Sequence, residues 1–212
     1  MSNSHPVFSR FYQRFAAAMD RRGAAAHRRW LLAGLQGEVI EVGAGHGPNF
    51  PHYPPEVDRV AAVEPEPHLR QAAQKAVAPA QVPVEVHDSL AERLPFDDDS
   101  FDGAVFSLVL CSVPDQPTAL AEVRRVLRPG GQLRFYEHVR SSRPRFARIQ
   151  HAVDAVWPHL AAGCHTARDT VDAIEQAGFI IDEIDRFRFP ESRLVLPTSP
   201  HALGRAHAPA QA

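Results

Sequence analysis

A chain of 212 residues, 44% hydrophobic and 23% charged, has the composition of an ordinary globular protein, with no disordered or fibrous bias. A formal net charge of −2 leaves no electrostatic footprint for nucleic acid. The arginines at 21, 22, 28 and 29 and at 140, 143, 145 and 148 read as solvated helix faces balanced by acids elsewhere.

In chain order, residues 1–34 form a helical preamble that carries Phe8, Phe11, Tyr12 and Phe15 at spacings near one helical turn. We expect it to act as a lid. From residue 37 onward strand-like and helix-like segments alternate, which predicts βα units and a mainly parallel sheet. Strands are expected at 38–42, 59–64, 82–87, 101–108 and 131–138, with helices at 67–77 and 116–127. The Arg128-Pro129-Gly130-Gly131 cluster stops the second helix. Thr166 is expected to cap a further helix that ends at Gly178, followed by a strand over 179–189. One domain is expected over 35–204, with 205–212 as a frayed tail. The longest apolar run, 103–113, is far shorter than the ~20 residues that span a bilayer. Cys111 and Cys164 lack a metal-site spacing and cannot staple a secreted mini-protein, so a cytoplasmic compartment is expected.

The most informative segment is Val39-Ile40-Glu41-Val42-Gly43-Ala44-Gly45-His46-Gly47, an apolar strand entering a glycine-rich turn, with Pro48 and Asn49 opening the next segment. Glycines allow positive φ and close approach of the backbone to a ligand. The dinucleotide fingerprint needs its third glycine one residue later than Gly47. Glu41 would also repel a pyrophosphate, whereas it suits a ligand bearing an ammonium and a sulfonium. Glu64-Pro65 ends the second expected strand, 21 residues beyond Gly43, where a carboxylate can accept the ribose hydroxyls of an adenosine. Asp88-Ser89, at the end of the third, can meet the exocyclic amine of adenine, with Leu90 and Leu94 as walls. The run Asp97-Asp98-Asp99 reads as a solvated loop, and no metal is expected.

Glu41–Gly47, Glu64-Pro65, Leu94-Pro-Phe with Phe101-Asp102, and EVRRVLRPGG over 122–131 together resemble the class I S-adenosylmethionine-dependent methyltransferases, particularly the ubiquinone/menaquinone-type branch of small-molecule enzymes. The segments around Leu108-Val-Leu-Cys111, Glu137-His138-Val139, Trp157-Pro-His159, Gly163-Cys164 and Ser199-Pro-His201 are similar to the animal alkyl-thiol S-methyltransferases. Those proteins begin with a hydrophobic anchoring segment that this sequence does not show, so stable membrane insertion is not expected. The resemblance implies an α/β, Rossmann-like fold: a mainly parallel seven-stranded sheet with helices on both faces. It implies S-adenosyl-L-methionine as cofactor, held by Tyr12, Glu41, Gly43, Ala44, Gly45, Asn49, Glu64, Pro65, Asp88, Ser89, Ser107 and Leu108.

Methyl transfer from a sulfonium neutralises the leaving group, so positioning dominates and a base is needed only for a protonated acceptor. His138, at the carboxyl end of the fifth expected strand, is the leading candidate, with His159 second. His5, His201 and His207 read as surface or tail residues. Phe8, Phe11, Cys111, Trp157 and His165 are candidate acceptor contacts, with Phe15 and Phe189 as further wall candidates; each also reads as plain packing. The expected reaction is methylation of nitrogen or sulfur on a small, fairly apolar molecule, by a monomer or homodimer without nucleic-acid partners. The alternatives are a C- or lipid-methyltransferase acting on a quinone or phospholipid headgroup, a dinucleotide reductase, and a non-catalytic cofactor sensor.

Overall fold

The computed structural model describes residues 6–192 and 195–210, with side chains from residue 13 onward. Its strands are β1 (Gly37–Val42), β2 (Val57–Val63), β3 (Val84–His87), β4 (Phe101–Ser107), β5 (Leu127–His138), β6 (Ile180–Arg188) and β7 (Pro200–His207). They form one sheet in the order β3-β2-β1-β4-β5-β7-β6. β7 runs antiparallel to both neighbours, and the other pairs are parallel.

The near-continuous apolar runs of β1, β2 and β4 follow from burial on both faces. In β1, Val39 packs with Leu31, Leu32, Leu35 and Val60 on one side. Ile40 and Val42 pack with Leu120, Val123 and Phe135 on the other. The helices are α1 (Pro6–Met19), α2 (Ala25–Leu32), α3 (Pro67–Ala76), α4 (Gln116–Val126), α5 (Pro144–Val153), α6 (Trp157–Leu160) and α7 (Thr170–Gln176). Local chemistry starts two of them. The Glu66 carboxylate accepts from Leu69 N at 2.7 Å to cap α3, and Asp115 accepts from Thr118 N at 3.1 Å to cap α4.

Three expectations change. The sheet continues through His207 and Ala208 is buried, so the ordered chain runs past the expected boundary at 204. The segment Pro-His-Ala-Leu-Gly-Arg-Ala-His lacks the branched apolar run of a central strand, and its two paired neighbours supply the order instead. Thr166 does not cap α7, which begins at Thr170. Thr166 is buried, and its backbone N–H and hydroxyl donate to Asp154 at 2.6 and 2.8 Å. The helical preamble is not one unit either: a π-helical turn, Asp20–Ala24, breaks it at Gly23 (φ +123°), beyond which α2 buries Leu31 and Leu32 in the core. No helix among the described residues is long and apolar enough to cross a membrane.

From β1 the chain moves to β2 on one side, and from β4 to β5 on the other. Neighbouring strands whose connections diverge leave a crevice at their carboxyl ends, the usual ligand position in open α/β sheets. The segments bordering it here are the turn after Val42 and the loop after Ser107.

Candidate active site

Beneath the glycine turn lies a buried polar chain. Glu41, 1% exposed, accepts from Asn49 Nδ2 and from the Tyr53 hydroxyl, each at 2.8 Å. Asn49 Oδ1 in turn accepts from Arg28 Nη1 at 2.9 Å, and the same nitrogen donates to Ser107 Oγ at 3.1 Å. Arg28 Nε pairs with Asp20 at 3.2 Å. Arg28 therefore ties α2 to the ends of both β1 and β4. This overturns its reading as part of a solvated face: it is 2% exposed, while Arg29 beside it is exposed. The available signal was helical spacing, since Arg28 falls on the same face as Ala24, Leu31 and Leu32.

Burial pushes the Glu41 carboxyl up to about 7, against the opposing hydrogen bonds from Tyr53 and Asn49 and the Arg28 charge. The unfolded carboxyl titrates near ~4.3. The folded state therefore holds a proton that the unfolded chain releases, and Glu41's contribution to stability is lost as pH rises from there towards 7, at up to ~1.4 kcal/mol per pH unit. Glu41→Gln keeps an acceptor for Asn49, offers Tyr53 an amide N–H for its hydroxyl oxygen to accept in place of the present bond, and cannot ionise. Melting temperatures of the wild type should fall relative to Glu41→Gln between pH 5 and 7, with the gap constant above that. Parallel curves over this range would remove Glu41 from the titration.

The turn itself needs its glycines. Gly43 has φ +72°, and a Cβ there would lie 2.5 Å from the Val109 methyls on the opposite side of the crevice. Glu64 follows β2, 6% exposed, with one carboxylate oxygen accepting from Gly45 N and the other from Glu66 N, both at 2.8 Å. Burial raises its pKa. Each oxygen keeps lone-pair capacity for a further donor. Arg70, which the sequence did not single out, fixes this corner by donating to the Glu64 and Pro65 carbonyls at 3.0 and 2.9 Å and by pairing with Asp88 at 2.9 Å. Asp88 is well exposed and Ser89 Oγ donates to Arg93 O. Two carboxylates bordering a glycine turn suit hydroxyl and ammonium donors and do not suit a phosphate. Asp98 pairs with Arg125 on the surface, as a solvated loop requires.

The other wall follows β4. Leu108 takes a left-handed backbone, φ +61°, and donates its N–H to Tyr136 O at 2.7 Å. Glu137, fully buried in β5, then gathers the next three amides: Val109 N and Leu110 N at 2.8 and 3.0 Å, and Cys111 N at 3.4 Å. Burial pushes its carboxyl up to about 7 against these bonds. Sequence reasoning left Glu137 without a role; the fold makes it the anchor of the loop.

His138, next in β5, faces the other way, as strand alternation requires. It packs edge-on against His201 at 4.7 Å, and its Nδ1 lies 3.6 Å from Cys164 Sγ, itself 3.6 Å from Cys111 Sγ. The two cysteines are 53 residues apart in sequence, so spacing alone hid their meeting with one imidazole. His201 is no tail residue: it is 3% exposed because β7 is a central strand, and burial drives its pKa well below the usual value. Its ring sits within an aromatic wall made by Tyr136, Phe187 and Phe189, with His27 against Phe187 and Phe189. Trp157 is half-buried at the start of α6. His159 stands exposed on α6, and His165 turns its ring to Asp154 at 3.5 Å while its backbone N–H donates to Cys111 O. His165's backbone thus joins the Cys111 loop beside His138, while its ring is engaged by Asp154. Phe15 is 51% exposed; Phe8, Phe11 and Tyr12 lie outside the residues whose side chains are described.

Comparison with known proteins agrees with this geometry. Residues 40–135 match the model of the methyltransferase domain family. The chain is 38% identical over 187 residues to the thiol S-methyltransferase TMT1B of Homo sapiens, covering 82% of this chain and 73% of that protein. It is 33% identical over 210 residues to the human thiol S-methyltransferase TMT1A, covering 94% and 85%. Among solved structures, an S-adenosylmethionine-dependent methyltransferase from Mesorhizobium loti superposes with a TM-score of 0.64 at 21% identity, covering 88% of this chain and 97% of that one, a likeness of fold.

Proposed function

Because this chain belongs to the class I S-adenosylmethionine-dependent methyltransferases, we propose that it methylates the sulfur of a small, apolar thiol. It is an enzyme, and S-adenosylmethionine is its cofactor. Likeness to two human thiol S-methyltransferases over most of both chains supports sulfur over nitrogen. The observation that carries the reading within the molecule is the corner beside His138: aromatic rings, the His138 and His201 imidazoles and two thiols at the carboxyl end of β5. Apolar surroundings of this kind favour a soft, weakly hydrated acceptor over a charged one.

When bound, S-adenosylmethionine supplies an electrophilic methyl group. Glu64 would accept the ribose hydroxyls, Asp88 the adenine amine, and the backbone at Gly43, Gly45 and Leu108 would border the methionine portion. Glu41, already satisfied by Asn49 and Tyr53, would act from beneath by holding Asn49 and, through it, Arg28. His138 would take the acceptor proton. Thiols, with a reference pKa of ~8.5, need only a mild base. The acceptor's lone pair would then form the new carbon–sulfur bond as the methyl's bond to the sulfonium breaks, its electron pair staying on the donor sulfur, which leaves neutral.

The reading is tested by incubating the protein with methyl-labelled cofactor and a panel of alkyl thiols, arylamines, phenols and quinols. Label appearing on thiols is the expected result, and label on a quinol ring carbon or on an amine alone would replace the sulfur assignment. Within the cofactor site, Glu64→Ala removes two ribose contacts, each ~0.5–1.5 kcal/mol net, and frees the Gly45 and Glu66 amides. Calorimetry should show cofactor affinity falling about tenfold or more. An unchanged dissociation constant would take Glu64 out of the site.

A further inference from the structure

We infer that Cys111, His138 and Cys164 form a three-ligand site for a zinc ion, with the fourth position open to the acceptor thiol. The metal part stands on the geometry alone, and the open-position part rests on the thiol reading above.

Three ligating atoms, Cys111 Sγ, His138 N and Cys164 Sγ, lie within 4.8 Å of one another, from the β4 loop, the end of β5 and the segment before α7. Zinc binds thiolate at ≈ 2.3 Å and imidazole at ≈ 2.0–2.1 Å, so a tetrahedral site has edges of about 3.8 Å between sulfurs and about 3.6 Å between sulfur and nitrogen. The edges here are 3.6 Å between the two sulfurs and 3.6 Å from Cys164 Sγ to His138 Nδ1. Two of the three ligand–ligand edges thus already match. A set of two cysteines and one histidine is also the kind that leaves a fourth position for substrate, whereas closed structural sites use four protein ligands.

The surroundings suit the ion. Two thiolates and one divalent cation sum to zero charge, which is what a corner with Cys111 at 1% and Cys164 at 8% exposure can hold. Arg168 donates to the Leu110 and Val113 carbonyls and so braces the loop that carries Cys111. The cluster is held from behind as well, because Glu137 fixes the Cys111 amide and His165 N–H donates to Cys111 O at 2.8 Å. Such outer support is what keeps metal ligands in place. Soft sulfur and nitrogen donors select zinc over magnesium or calcium.

In use, His138 serves as a ligand in place of the base, and a thiol enters the open position as its S–H bond breaks. The proton leaves to solvent, and the sulfur keeps its electron pair, bound to the metal and available as the nucleophile. No oxidant or reductant is involved.

The test uses the full chain, reduced and freed of metal, titrated with Zn²⁺ alone and separately with Co²⁺ as a spectroscopic substitute. One equivalent of zinc should bind and shield both cysteines from an uncharged alkylating reagent. Cobalt should give thiolate-to-metal charge transfer and the intense visible bands of a tetrahedral site, and an added alkyl thiol should shift those bands. Cys164→Ser should weaken zinc binding by more than the ~10–100-fold that outer-shell changes cost. Absence of zinc binding and of shielding in the wild type would overturn the site, and neither readout depends on a variant folding. Zinc bound equally by Cys164→Ser would also overturn it, and cobalt bands indifferent to thiol would overturn the open position. Should the metal readouts hold while no thiol is methylated, the site stands and the acceptor assignment fails instead.

Discussion

Glu137→Ala should destabilise the protein by about 3–5 kcal/mol and abolish most turnover. The carboxylate is fully buried and accepts from three consecutive amides, Val109, Leu110 and Cys111. Each amide left without a partner costs ~1–3 kcal/mol, and water entering the vacated volume recovers part of the sum. Glu137→Gln should cost less, since one amide oxygen still accepts from Val109 and Leu110. Urea unfolding of the three proteins measures the order wild type, Gln, Ala. Equal stability of the alanine variant and wild type would mean that the loop after β4 is held by something other than Glu137. The expected loss of activity has the same origin, because this loop carries Cys111 and the Leu108 backbone into the crevice.

His138→Ala should lower the turnover number by ~10²-fold or more while cofactor affinity stays within about twofold. The imidazole ends β5 beside the Cys164 thiol and against His201, with β4 and β1 between it and the strand that leads to Glu64, and the proposed function assigns it to the acceptor. A group there acts on the incoming nucleophile, whether by taking its proton or by holding the ion that stabilises its thiolate. The deficit should shrink as pH rises past ~8.5, where a thiol acceptor ionises without help. Single-turnover rates across pH, with calorimetry for the cofactor, check both parts. Wild-type turnover at neutral pH would remove His138 from the chemistry.

What was legible in the sequence was local. The glycine turn, the acid at Glu64 and the helix over 116–126 each declare themselves within a dozen residues, by backbone need or by apolar period. The sheet's parallel part followed from the βα alternation. What was hidden depends on pairs far apart in the chain. Arg28 reads as one more surface arginine until Ser107, 79 residues away, gives its buried nitrogen a partner. Cys111 and Cys164 have an unremarkable spacing until the fold brings their sulfurs to 3.6 Å, with His138 beside Cys164. β7 was missed because its small and polar residues carry no strand signal of their own, and His201 was misplaced with it. In each case tertiary pairing overrode local propensity.

Gly43 meeting Val109 across the crevice has an evolutionary meaning. The two positions sit in different halves of the sheet, yet neither can change without regard to the other. A methyl group at 43 carries two penalties, one for its left-handed backbone and one for the collision. Only the second is relieved by shrinking residue 109. Substitutions at these sites should therefore be epistatic: alanine at 43 is less harmful beside alanine at 109 than beside valine, and a double-mutant cycle on stability should return a coupling of ~0.5–3 kcal/mol. Lineages that leave glycine at the first position would do so only after the second has yielded, an order of events written into one van der Waals contact.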